Sequence, residues 1–283
     1  MTDAFWRRFL IPGALWLLLF FLVPFGIAVL ISLGENNDFG GVTYGWNPSN
    51  YADALDPLFA PVLLRSVGYA AATAVLCLLI GYPVAYCIAR FGGRRRNLLI
   101  AAILAPFLIN YLVRTYAWVA LLADEGLVNR LITDSGLSGN PVQFLNTPWA
   151  VIGGLVYGYL GFMILPIYAS LERMDPALIE AGKDLYGSPR QTFWHVTWPQ
   201  TVPGVLAGSV LVFLPAVGDF VSAQLLGGPD TYMVGNLIQQ QYFGAENWPF
   251  GSALTIVLMA FLALFMFFYL RGAGSAERRE ALV

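Results

Sequence analysis

Arg114 and Asp219 each stand in or at the end of a long apolar run of this sequence. A charge in such surroundings is held by a partner, by water, or by a path for polar solutes. If the runs cross a membrane, both residues fall toward the same face, so the two can pair. Such a pair is either part of a path or gate, a structural ion pair, or a pair exposed at the membrane surface. Tyr116 and Trp118 follow Arg114, and Phe220 follows Asp219. Carboxylates and aromatic faces suit cations with apolar stems. Arg114 and Asp219 are therefore candidate pathway or gate residues, and Tyr116, Trp118 and Phe220 join them if the solute is such a cation.

The sequence offers little other chemistry. Its single histidine, His195, has no Cys/His cluster beside it, so no metal site is expected. Cys77 and Cys87 are ten residues apart in one apolar run. On a helix that is about 15 Å, beyond disulfide reach, and both read as small buried hydrophobes. No nucleophile–base set points to catalysis, and no catalytic residue is assigned. No G-x-x-x-x-G-K-[ST] is present, so ATP is not expected to bind through a P-loop here. No cofactor is expected.

The elements that must position these residues follow from composition. The chain of 283 residues is 58% hydrophobic and only 11% charged, whereas soluble domains carry about 25% charged residues. Hydrocarbon is the natural solvent for that excess. A net charge of −2 argues against a nucleic-acid partner. A helix crosses the hydrocarbon core with about 20 apolar residues, and six stretches qualify: about 9–33, 64–89, 98–122, 149–171, 203–226 and 249–270. Their continuity excludes the alternating segments of a β-barrel. The first run is longer than a signal-peptide core of about 7–15 residues, so it reads as a retained span. The expected fold is all-α, one transmembrane domain over 1–283 with six membrane helices in the lipid bilayer. Prolines such as Pro24, Pro83, Pro106, Pro166 and Pro215 are tolerable within such helices.

Basic residues set the orientation. One side holds Arg7, Arg8, Arg90, Arg94, Arg95, Arg96, Arg173, Lys183, Arg190, Arg271, Arg278 and Arg279, which is 12 of the 15 Lys and Arg residues. Both termini are thus expected in the cytoplasm of a bacterial cell, with the chain in its inner membrane. Loops 34–63, 123–148 and 227–248 are expected outside, and they lean acidic, with Glu35, Asp38, Asp53, Asp56, Asp124, Glu125, Asp134, Asp230 and Glu246. Gly154 with Gly158 and Gly204 with Gly208 form G-x-x-x-G pairs that permit close helix approach, either within the chain or against a partner.

The longest cytoplasmic loop is the most structured. Asp175-Pro176 reads as a helix N-cap followed by a first-turn proline. Leu178, Ile179, Gly182 and Leu185 make one helical stripe. Gly187 is placed as a C′ glycine, and Ser188 with Gln191 is spaced as a capping box opening a second helix. Pro199 and Pro203 are expected to end that helix before the fifth span. A capped helix pair of this kind can dock on a soluble partner, or lie on the bilayer with Arg190, Phe193, Trp194 and Trp198 at the interface.

Glu180-Ala181-Gly182, Asp184-Leu185, Gly187-Ser188, Gln191, Phe193, Val196, Pro199 and Pro203-Gly204 resemble the EAA loop of binding-protein-dependent ABC transporter permeases. This chain departs from the pattern in having Gly182 for the third-position alanine, Tyr186 with Gly187 one position late, and Trp198-Pro199 for the final Leu-Pro. The resemblance implies a MetI-like permease architecture. It also implies that the loop, about 175–200, is the coupling helix seated in a dimer of cytoplasmic ATP-binding subunits. Glu180, Ala181, Gly182, Asp184, Leu185, Gly187, Ser188 and Pro199 would then couple to the ATPase.

Two further stretches resemble the spermidine/putrescine branch of that family. They are Leu112–Trp118 continuing into Glu125–Asn129, and Gly218–Val221 continuing through Leu225–Asp230 and Gly235–Ile238. The branch typically has glutamate where Asp219 stands, and other members are assigned to opines, aminophosphonates and other small solutes. The resemblance implies an external solute-binding protein and a second homologous permease, a heterodimer. The alternative class is a self-sufficient secondary transporter, which would show paired repeats; no convincing repeat is found.

Overall fold

The computed structural model describes residues 3–37, 41–137 and 139–280, with side chains described at 11–37, 41–137, 139–185 and 187–271. Asp38 and the side chains of Arg7, Arg8, Arg278 and Arg279, used in the charge count, lie outside that description. α1 (Asp3–Ser32) leads into a small antiparallel pair, β1 (Glu35–Asn36) with β2 (Val42–Thr43), and then α2 (Ser49–Ala54). α3 (Ala60–Phe91), α4 (Arg96–Leu104), α5 (Tyr111–Leu122), α6 (Leu127–Asp134) and α7 (Pro148–Arg173) follow. The rest is α8 (Pro176–Tyr186), α9 (Pro189–Thr192), α10 (Trp198–Val217), α11 (Val221–Leu226), α12 (Val234–Phe243) and α13 (Trp248–Glu280).

Among the described residues, five helices are long and apolar enough to cross a membrane: Ile11–Ser32, Ser49–Phe91, Pro148–Arg173, Pro189–Val217 and Trp248–Arg271. The sixth candidate is a pair of segments, Gly93–Leu108 and Tyr111–Asp134, bent by 90°. The expected third span, 98–122, is thus two half-helices. The cause is local. Pro106 has no N–H for a helical bond, and the chain tightens into a 3-10 turn at Ala105–Leu108. Ile109 is then extended, and Asn110 caps α5 with Oδ1 accepting from the Leu112 N–H at 2.9 Å. Pro83, Pro166, Pro203 and Pro215 sit within their helices without such a break.

The fifth span also starts earlier than expected. Pro199 and Pro203 do not end the second loop helix. It runs from Pro189 to Val217 through a π-helical turn at Phe193–Thr197. Pro199 follows directly on the π turn, at the second residue of α10.

The chain forms two compact units. One joins Leu237–Arg271 to the segment up to Ala60. Its core is Ala54, Phe250 and Leu254 with Phe59, Leu237, Ile238 and Val257. Asn50 ties its loop by donating to the carbonyls of Ser32 and Gly34, each at 2.9 Å. Side chains of α1 from Ile11 to Phe25 are exposed on all faces, as hydrocarbon contact would require.

The other unit is built on Pro61–Asn236. α7 is its central helix, and it touches two cores. Cys77, Tyr82, Ala85 and Ile88 of α3 meet Met163, Ile164, Ile167, Tyr168 and Leu171 of α7 and Val205 and Val212 of α10. Farther along α7, Ala150, Val151 and Leu155 meet Leu122, Ala223, Leu226 and Met233. Both glycine pairs are consumed inside the chain. A side chain at Gly154 would meet Leu226, one at Gly158 Tyr111, one at Gly204 Ser170, and one at Gly208 Met163. Cys77 is buried as expected, but Cys87 is exposed, because it lies on the outward side of α3 from Ala85 and Ile88.

Candidate functional site

The loop after α7 forms the capped helix read from its sequence. Asp175 Oδ1 accepts from the Ala177 N–H at 2.9 Å, with Pro176 in the first turn. Gly187 closes the helix at φ 68°, its N–H bonding to Lys183 O at 2.8 Å. A side-chain-bearing residue would hold that left-handed conformation at a cost. Ser188 Oγ accepts from the Gln191 N–H at 3.2 Å. The return bond runs from the Ser188 hydroxyl to Gln191 Oε1 at 3.0 Å, so the box closes through side chains.

The apolar stripe of α8 divides. Ile179 packs on the α3/α7/α10 core and Gly182 is buried, while Leu178 and Leu185 are exposed. Gly182 explains the departure from alanine at this position. A Cβ there would come within 2.9 Å of Val196 and 3.0 Å of Thr192, so α8 lies directly on the π turn. From there Phe193 and Trp198 pack against Tyr82, at 5.7 and 5.4 Å between ring centroids. The Tyr82 hydroxyl lies 2.9 Å from Thr201 Oγ1. α8 is thus linked through contiguous packing to α3 and α10. Glu180, Ala181, Asp184, Leu185 and Gly187 face outward, and Ser188 and Pro199 are half-buried. His195, in the π turn, bonds through Nδ1 back to Gln191 O of α9 at 2.9 Å.

The second constellation lies at the break between α4 and α5. Arg114 and Asp219 are both buried, 8% and 6% exposed, and the pair that the sequence allows does not form. Asp219 is held by three donors. Its Oδ2 accepts from the Tyr111 hydroxyl at 2.6 Å and the Tyr159 hydroxyl at 3.0 Å. Its Oδ1 accepts from the Ser222 N–H at 2.7 Å, capping α11. Three hydrogen bonds satisfy the carboxylate without a cation. Arg114 lies in the first turn of α5, not toward the far end of one long helix. Its guanidinium carbon sits over the rings of Phe107, Tyr111 and Tyr157, at 5.1, 5.5 and 5.7 Å from their centroids. Its Nε and Nη1 are buried without a hydrogen-bond acceptor.

Arg114 also lines a cavity of about 400 Å³, bounded by Phe107, Asn110, Tyr111, Tyr159 and Phe162, by Leu108 at the end of the 3-10 turn and by the extended Ile109. Gly158 and Gly161 of α7 leave the room that the Tyr111 and Phe107 rings fill. Of the other sequence candidates, Trp118 packs at a tilt against Tyr157, 5.6 Å between ring centroids. Tyr116 is exposed on the opposite side of α5 from Arg114 and Thr115. Phe220 is 40% exposed, and its backbone carbonyl accepts from Asn236 Nδ2 at 2.8 Å. Tyr111, Tyr157, Tyr159, Phe107 and Ser222 were not legible as site residues. Only the tyrosine hydroxyls in apolar runs, which need a partner when buried, could have signalled two of them.

Residues 9–272 match the family model described as "Binding-protein-dependent transport system inner membrane component". This chain belongs to that family. It is therefore a multi-pass inner-membrane permease component of an ABC transport system, without catalysis of its own. Membership removes the secondary-transporter alternative. Among its relatives, "Spermidine/putrescine transport system permease protein PotB" of Haemophilus influenzae is 38% identical over 94% of this chain and 93% of its own length. The protein of the same name from Escherichia coli is 37% identical over 94% of this chain and 97% of its own. A chain of the bacterial alginate ABC transporter, solved in complex with its alginate pentasaccharide-bound periplasmic protein, superposes with a TM-score of 0.71. That match is 20% identical and covers 94% of this permease and 93% of that chain, so it bears on fold alone.

Proposed function

We propose that this permease forms half of the translocation path of an ATP-driven importer for a polyamine, of the spermidine or putrescine type. The observation that carries the reading is 37–38% identity to PotB permeases over nearly the full length of both chains. The cavity at the α4–α5 break suits the assignment, since its rings offer faces to an ammonium and its methylene stem. Asp219, with Arg114, Tyr116, Trp118 and Phe220, belongs to the path or gate. Both termini and α8 face the cytoplasm, where the exposed side of α8, with Glu180, Ala181, Asp184 and Leu185, seats in a dimer of ATP-binding subunits. A second, homologous permease supplies the other half of the path, and an external binding protein delivers the solute. The test is ATP hydrolysis by the purified complex with its binding protein, across putrescine, spermidine, an opine and an aminophosphonate. The reading expects stimulation by the polyamines at least tenfold above the other two. Stimulation by the opine or aminophosphonate alone would replace it.

A further inference from the structure

Arg114 is a cation seated on aromatic ring faces. Three ring faces lie within 5.1–5.7 Å of its guanidinium, two of its nitrogens find no acceptor, and no carboxylate pairs with it among the described residues. Aromatic faces are the chief interaction left to it, and they are also the interaction that recognises alkylammonium ligands. Arginine suits the role better than lysine, because its planar, weakly hydrated head stacks on rings. Two of the rings under it, Phe107 and Tyr111, also wall the cavity, where Tyr159 and Phe162 complete the aromatic surface. Tyr111 is shared further: its ring lies beneath Arg114 and its hydroxyl donates to Asp219.

We propose that Arg114 is a tethered competitor of the transported solute, its guanidinium occupying the ring faces that a polyamine ammonium takes during passage. The inference rests on the polyamine reading. An ammonium entering the cavity meets like charge at Arg114 and the negative charge of Asp219 behind Tyr111 and Tyr159. It displaces the guanidinium instead of adding to it. A built-in competitor keeps the membrane site weak, and a path must bind its solute loosely enough to release it.

The test is direct binding of labelled putrescine to the purified transporter complex without external binding protein, together with uptake by the complete system. Arg114→Gln, which keeps length and polarity without charge, is expected to bind putrescine at least tenfold more tightly than wild type. Its uptake kcat is expected to fall as release slows. Arg114→Lys keeps the competing charge and is expected to stay within about threefold of wild type. Tyr157→Leu removes one ring beneath the guanidinium without touching the cavity wall, and is expected to tighten binding severalfold. It serves as the second probe should Arg114→Gln fail to assemble. Unchanged or weaker binding in the assembled variants would overturn the proposal. A wild-type complex that takes up no polyamine would instead remove the reading on which it rests.

Discussion

Asp219 shows what residue types alone can and cannot say. A carboxylate and a guanidinium in apolar surroundings invite pairing, and the sequence contains one of each in the expected places. The structure gives the carboxylate to two tyrosines and an N–H, and gives the guanidinium to three rings. Neither choice is visible in spacing, because Tyr159 comes from α7, sixty residues before Asp219. The buried charges were legible; their partners were not. Asp219→Asn keeps an oxygen for the Ser222 N–H but withdraws the charge from both tyrosine hydroxyls. Hydrogen bonds to charged groups are worth about 1.5–3 kcal/mol in soluble proteins, and side-chain bonds in membranes average about 0.6 kcal/mol. The variant is therefore expected to lose on the order of 1 kcal/mol of stability, read as a lowered Tm of the detergent-purified complex. Its uptake should fall at least tenfold. Uptake equal to wild type would end the pathway role of Asp219.

At the scale of elements, α8 was legible almost residue by residue. Asp175, Pro176, Gly187 and Ser188 carry local chemistry that tertiary context seldom overrides, and each does what its type dictates. The two misread elements share a cause in proline. Pro199 and Pro203 read as stops, yet the π turn before Trp198 carries the helix through. Pro106 read as a tolerated proline within a span, yet the helix there turns by 90°. Hydropathy is the same whether a stretch is one rod or two, so the break that creates the cavity left no trace in it. Gly182 gives the element its sharpest test. Gly182→Leu forces a side chain against Val196 and Thr192, and overpacking of this kind costs about 1–3 kcal/mol. α8 should lift from the π turn, and motion of the ATPase should no longer reach Tyr82 and Thr201. The expected result is ATP hydrolysis that continues while solute carried per ATP falls severalfold. A wild-type ratio would mean that α8 does not transmit force through this contact.

For the whole molecule, class followed from composition: 11% charge in 283 residues leaves little choice but lipid. The count of spans followed from run length, and the family from the loop at 175–204 and from the sequence match over 9–272. The division of labour follows too. On the proposed reading the cavity of about 400 Å³ at the break belongs to the path and α8 is the lever, and the sequence has no P-loop to supply energy. The account stands or falls on coupling these parts to a polyamine. The most direct measurement is uptake of labelled putrescine into proteoliposomes holding this permease, its homologous partner and the ATP-binding subunits, with binding protein outside and ATP inside. Accumulation against a gradient that needs both ATP and binding protein is the predicted result. Accumulation without ATP, or none of putrescine or spermidine by a complex that hydrolyses ATP on receiving another solute, would contradict it.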